Sequence, residues 1–414
     1  MAIRQPGRRG GLLALTIAAL GALAFGVGAA DAAAYACTNS SADQAALQAL
    51  INAGGTITIT GTCRGNWLAG PANFAIVAGL PGATLNGNAA GVVLEVTGGK
   101  TATLTGITVT NGNSSVGAGI LAIGSGSTVN VDSSTVTGNH ASDGGGIGVL
   151  GAATVNLNQS TISSNTATSD GGGVFVEFSS LGASSSKLTM NSAILGGGAV
   201  FIDSTASLDS SAFTRNSAFA GGGFYSDAFS LGDSVTLTNS NIDHNTLTFA
   251  SGGGGGIINR SDGAASSVSL VHTSVSFNLA LHGSTRGGGI FNDGNFGSLA
   301  SISATAGSTF QGDQATNEGG AIYTEANGGP ADVSLTDTTV GSSGGSLNGN
   351  KAAYGGGIYN DAFNGLTIVD LDKGGLVAGN SASVTGGGID NGGGVVTIAG
   401  GAVLLNHPNN CVGC

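Results

Sequence analysis

The sequence predicts an all-β chain folded as a single-stranded, right-handed parallel β-helix, with three strands in each of about a dozen coils and a short N-terminal capping helix. Three observations carry that expectation. Glycine supplies 78 of 414 residues and proline only 5, without the Gly-X-Y period of collagen. Only 8% of residues are charged while 41% are apolar, so the chain has material for a core and lacks the composition of a disordered segment. A glycine cluster followed by an apolar anchor then recurs along most of the chain.

The clusters lead into Ile147, Val174, Val200, Phe224, Ile257, Ile290, Ile322, Ile358 and Ile389, spaced 24 to 36 residues apart. An apolar residue with Asn three positions later precedes most of them: Val136/Asn139, Ile162/Asn165, Phe213/Asn216, Ile242/Asn245, Val275/Asn278, Leu347/Asn350 and Val377/Asn380. Phe310/Asp313 keeps the slot with an acid. A third short alternating strand lies upstream, as in Val129-Asn-Val131 and Val268-Ser-Leu270. A unit of this size cannot bury its apolar face alone, so neighbours must stack in register, about 4.8 Å apart. Asn at the same turn of successive coils can bond to the Asn above and below.

A solenoid needs covered ends. Ala42 to Ile51 is the one clear helical pattern, with Leu47, Leu50 and Ile51 on one face, and it leads into the alternating strand Thr56–Thr60. Residues 35–100 therefore read as the cap and first coils, 101–405 as the repeats, and 406–414 as a tail. The four cysteines lie at the two ends. An even count in an exported chain favours disulfides, and in an elongated body pairing must be local, Cys37 with Cys63 and Cys411 with Cys414. A metal site at His407, Cys411 and Cys414 is the alternative to the second pair, with only three candidate ligands.

Residues 1–34 read as a secretory signal: Arg4, Arg8 and Arg9 precede an apolar run from Leu12 to Val27 and then small residues. Both a general secretory and a twin-arginine route stay open, as does lipidation at Cys37. Loss of Arg4, Arg8, Arg9 and Asp31 takes the formal charge from −12 to −14. The expected location is the exterior or the cell surface. With eleven Lys and Arg in all, the acidic chain is a poor binder of nucleic acid. No later stretch has the roughly 20 unbroken apolar residues of a membrane helix.

The GGGI and GGAI units, with their apolar-x-x-Asn partners, resemble the repeats of chlamydial polymorphic outer-membrane proteins. More broadly, residues 100 to 406 resemble secreted bacterial right-handed β-helix proteins of the pectate-lyase-like superfamily. Gly319-Gly-Ala-Ile322 matches the chlamydial form directly, and Asn406-His-Pro-Asn-Asn-Cys411 is similar to the terminus of actinobacterial-type secreted β-helix proteins. The resemblance implies the fold; with no membrane barrel after the repeats, it does not imply autotransporter display.

Two columns follow from aligning the anchors. One residue on are Phe175, Phe201, Tyr225, Phe291, Tyr323 and Tyr359; three residues on are Glu177, Asp203, Asp227, Asp293, Glu325 and Asp361, with Arg260 among them. Strand alternation with the anchor inward turns both columns outward. An aromatic stripe beside an acidic stripe would be a platform for sugar rings, with carboxylates on hydroxyls or on a weakly held calcium ion. The competing reading is that the aromatics pack on one another and the acids keep the rod soluble.

The functional expectation is a monomeric, non-catalytic, adhesin-like or structural protein that binds carbohydrate such as a cell-surface glycan and requires no cofactor. The alternative is a polysaccharide lyase or glycoside hydrolase acting on acidic polymers in a groove of the rod. Asp203 and Asp227, one coil apart, suit a carboxylate pair, and Arg260, the neighbours Arg215 and His244, and the loop pair His282 and Arg286 are the basic candidates. The Asn-Thr-Asp, Gly-His-Gly and Arg-Ile-Lys units of polygalacturonase-like enzymes do not occur.

Overall fold

A computed structural model describes residues 32–249, 252–342 and 348–414; most of the expected signal segment and Leu347 lie outside them. The anchors begin strands of a 13-stranded sheet, here the anchor sheet, that runs from Trp67–Leu68 to Cys411–Val412. A broad 25-stranded sheet takes two strands from each repeat, such as Thr128–Asp132 and Thr135–Thr137. Narrow sheets of three and six strands take a further short segment, such as His140–Asp143. That fourth segment was not legible as a strand, because it lacks apolar alternation. The strand ladders are parallel, as expected for a β-helix-like solenoid.

One continuous core runs along the interior, from Leu47 and Ile51 through Val155, Phe213 and Ile290 to Ile389. The Asn slot forms a buried ladder over its successive turns. Asn165 donates from its backbone N–H and its side-chain amide to Asn191 Oδ1 at 3.0 and 3.1 Å, and Asn191 does the same to Asn216 at 3.0 and 3.1 Å. Each amide also reaches a carbonyl of the preceding coil, Asn191 to Ile162 O at 2.9 Å. The ladder satisfies the polar groups at a turn that water does not reach.

The glycine clusters follow from that ladder. Gly171 has φ +63°, a left-handed conformation that disfavours a side chain. A Cβ on Gly172 would strike the carbonyl of Ser192 in the next coil, and one on Gly173 would lie 3.0 Å from the Asn191 amide. The third glycine thus leaves room for the Asn of the following coil, which is why the two motifs travel together.

Helix α1 (Ala42–Ala53) covers the N-terminal end, with Leu47 and Ile51 fully buried. Asp43, in its first turn, is buried and accepts from the Thr38 and Ser40 backbone N–H groups at 3.0 and 2.9 Å and from the Tyr35 hydroxyl at 2.9 Å. Burial alone would raise its carboxyl, but these donors outweigh it and hold the group below the usual range. Disulfides join Cys37 to Cys63 and Cys411 to Cys414, so each end is tied locally. No helix among the described residues is long and apolar enough to cross a membrane.

Candidate ligand-binding face

The outward side of the anchor sheet carries the two expected columns, with one correction. Strand pairing matches Val174 with Ala199 and Phe175 with Val200, so the anchor after Gly196-Gly-Gly198 is Ala199, not Val200. Phe201 consequently points inward, has no exposed surface, and packs edge-on against Phe224 with centroids 5.8 Å apart. Ile202 takes the acid slot instead. Asp203 falls one residue beyond, where it accepts from the backbone N–H groups of Phe229, Ser230 and Leu231 at 2.8 to 3.0 Å. It organises that loop rather than joining a column, and so cannot form the expected pair with Asp227.

The remaining column members stack as expected. Phe175, Val200, Tyr225, Ile258, Phe291, Tyr323 and Tyr359 are successive neighbours, and beside them run Glu177, Ile202, Asp227, Arg260, Asp293, Glu325 and Asp361. The aromatics are not an open stripe. Phe175 and Tyr225 are buried in a satellite cluster with Val200 and Ile258, packed by Leu195 and Ala220 from the turn before each glycine cluster. Tyr323 is fully buried, between Phe291 at 5.1 Å and Tyr359 at 5.6 Å with the Arg286 guanidinium 4.8 Å from its ring. Only Phe291 and Tyr359 stay half-buried.

A third column was missed. The residue immediately before each glycine cluster is also stacked: Asp170, Leu195 and Ala220, then Gly253, Arg286, Glu318 and Tyr354. The alignment that found the anchors would have shown it one position earlier. This column walls the face, and its chemistry changes along the rod. It is apolar at Leu195, beside Val200 and Ile202, and at Ala220, beside Tyr225 and Asp227, and is charged at Arg286, beside Phe291 and Asp293, and at Glu318, beside Tyr323 and Glu325.

From Tyr225 to Asp361 the face carries two polar clusters, which act on each other by charge, Glu325 and Arg286 on Asp293. Tyr225 donates to Asp227 Oδ2 at 2.9 Å, and Arg260 lies between Asp262 at 3.0 Å and Asp293 at 3.4 Å. One coil on, Arg286 reaches Glu318 at 2.8 Å and Glu325 at 3.3 Å, and Tyr323 donates to Asp361 at 2.9 Å. Burial first, then the charge of Asp262, pushes the Asp227 carboxyl up to about 7; burial likewise lifts Asp293 to about 6, with Glu325 and Asp262 adding to it. One oxygen of each, Asp227 Oδ1 and Asp293 Oδ1, has no hydrogen-bond partner. Burial and neighbouring acids also raise Glu318 and Glu325, and the Tyr359 hydroxyl is lifted to about 12.

The core beneath turns polar over the same coils. The inward slot held by Val149, Val176 and Phe201 passes to Ser226, Asn259, Asn292, Thr324 and Asn360. Asn259 donates to Asn292 Oδ1 at 2.8 Å and Asn292 to Thr324 Oγ1 at 3.2 Å, so this second ladder is bonded from Asn259 to Thr324, while Asn360 Oδ1 has no partner.

Other expected candidates lie elsewhere. Glu177 is in the acid column two coils before Asp227, outside the ion-pair clusters. His244 sits at the Asn-ladder turn, bonded to Asp243 at 2.7 Å and stacked on Phe277, and Arg215 holds the same slot one coil earlier. No group of three or more His, Cys, Asp or Glu side chains among the described residues is arranged to hold a metal ion. Comparison of the chain with known protein families, with curated proteins and with solved structures finds no match.

Proposed function

We propose that the protein is an exported right-handed β-helix of about a dozen coils that binds glycan, without turning it over, on the face between Tyr225 and Asp361. One observation carries this reading. The slots of Asp227 and Arg260 are filled by Leu150 and Ile202 in earlier coils, so the fold accepts apolar residues there. Buried carboxyls and a half-buried guanidinium cost stability, and such groups cluster at sites where they act on a ligand. The Tyr359 hydroxyl, the carboxyls and the guanidiniums offer hydrogen bonds to sugar hydroxyls, while Phe291 and Tyr359 present ring faces.

Both arginines are engaged by two carboxylates each, which argues against either as a free base. A hydrolase is the second reading, favoured by Asp227, whose carboxyl near 7 suits a general acid. Immobilised glycan panels and release of reducing ends separate the two. Tyr359→Ala is expected to weaken glycan binding about tenfold, the size of a lost ring contact. Phe178→Ala, at an exposed ring in the apolar half, should leave binding unchanged. Equal loss in both variants would sink the reading, and turnover abolished by Asp227→Asn would replace it with hydrolysis.

A further inference from the structure

Charge decides which glycan suits this face, an inference that rests on the binding reading above. Among the described residues, Asp262 and Asp293 pair with Arg260, Glu318 and Glu325 pair with Arg286, and Asp227 and Asp361 accept from tyrosine hydroxyls. Six carboxyls thus share two guanidiniums, and Asp227 and Asp361 have no arginine at ion-pair distance. Across the face the acids raise one another: Asp262 acts on Asp227, Glu325 on Asp293, and Asp361 on both Glu318 and Glu325. A ligand bringing positive charge relieves that repulsion, while a uronate polymer would add to it.

A second observation points the same way. Asp227 and Asp293 are 4% and 7% exposed, lie in the outward column on either side of Arg260, and each keeps one oxygen with no donor. An acceptor shielded from water and unpaired is a standing cost that an incoming N–H or O–H group removes. The half-buried ring of Phe291 lies in the coil of Asp293 and that of Tyr359 two coils on, in the coil of Asp361, so the cation should be carried on a ring that can lie against an aromatic face.

We infer that the ligand is an amino-sugar polymer with free ammonium groups, lying along the anchor-sheet face with its amines on the carboxylates around Arg260 and Arg286. Neutral sugars satisfy the rings and hydroxyls but leave the charge unmatched. Acidic polysaccharides are repelled.

The test is calorimetric titration of the mature chain at pH 7 with oligomers of glucosamine, N-acetylglucosamine and galacturonate, and with oligolysine. Glucosamine oligomers are expected to bind at least tenfold more tightly than the N-acetylated form, with no binding of oligogalacturonate. Glu325→Gln and Asp361→Asn, which keep side-chain shape, should each cut that affinity several-fold while leaving circular dichroism unchanged. Equal or tighter binding of the N-acetylated or galacturonate oligomers overturns the charge inference and leaves the glycan reading standing. Binding of oligolysine as tight as that of glucosamine overturns it in favour of a basic peptide. Failure of every oligosaccharide overturns both.

Discussion

Asn191→Ala is expected to destabilise the protein by about 4 kcal/mol, because several buried groups lose their partners together. The side chain accepts from the N–H and amide of Asn165 and donates to Ile162 O and Asn216 Oδ1, and it has no exposed surface. Neither water nor a shift of one coil replaces those bonds, since Gly173 and the coils on both sides close the site. Asn156→Ala is the control. Its amide bonds to Asn130 at 3.0 Å on the exposed side of the broad sheet, so its loss should cost less than about 0.5 kcal/mol. Denaturant unfolding of the two variants reads the difference. A cost under about 1 kcal/mol at Asn191 would show that the ladder is incidental to stability.

Asp313→Asn should have the opposite sign. Asp313 occupies the ladder slot, fully buried, and its Oδ1 accepts from the Asn278 N–H and amide at 2.8 and 2.9 Å. Oδ2 occupies the place of the amide donor that other coils aim at the next Asn, and it has no partner. Burial pushes this carboxyl well above its ordinary range; the Asn278 donors lower it in part and Asp243, two strands back in the same ladder, raises it further. The protonated acid can donate where the carboxylate cannot, so the folded state favours the neutral form. Between the ordinary carboxylate pKa and the raised folded one, the native state holds a proton that the unfolded chain has lost. Stability therefore falls as pH rises through that window. Asn supplies the missing donor at every pH. The variant is expected to gain about 2 kcal/mol at pH 7 and to lose part of the decline above pH 4, with Asp227, Asp233 and Asp293 supplying the rest. Thermal melts from pH 4 to 8 test this, and a variant less stable than the parent at pH 7 would contradict it.

Much of the architecture was legible because register is written in short motifs. The apolar-x-x-Asn and Gly-Gly-Gly units occupy adjacent coils in contact, so their recurrence reports stacking directly. Even the acid at Asp313 was visible as a ladder member. The error at Phe201 arose where Ala199, small but buried, is the anchor and the larger Val200 was taken for it; a shift of one residue reverses every side chain in a strand. Alternation could place Phe175 and Tyr225 on the outward side, but not reveal that Leu195 and Ala220 of the neighbouring turn cover them. The ion pairs were hidden for a related reason. Glu318 and Arg286 belong to a column before the glycines, and Asp262 lies two residues past Arg260, so neither falls in the columns counted from the anchor.

The most direct test of the account is a triple variant, Asp227→Ile, Arg260→Leu and Asp293→Ile, which copies Ile202 and Leu150 of earlier coils into the later ones. If the charges serve a ligand rather than the fold, the melting temperature should hold or rise while glycan binding disappears, as when buried ion pairs give way to packed apolar groups. A fall of several degrees with binding retained would show that the cluster holds the solenoid together, and the functional reading of this face would fail.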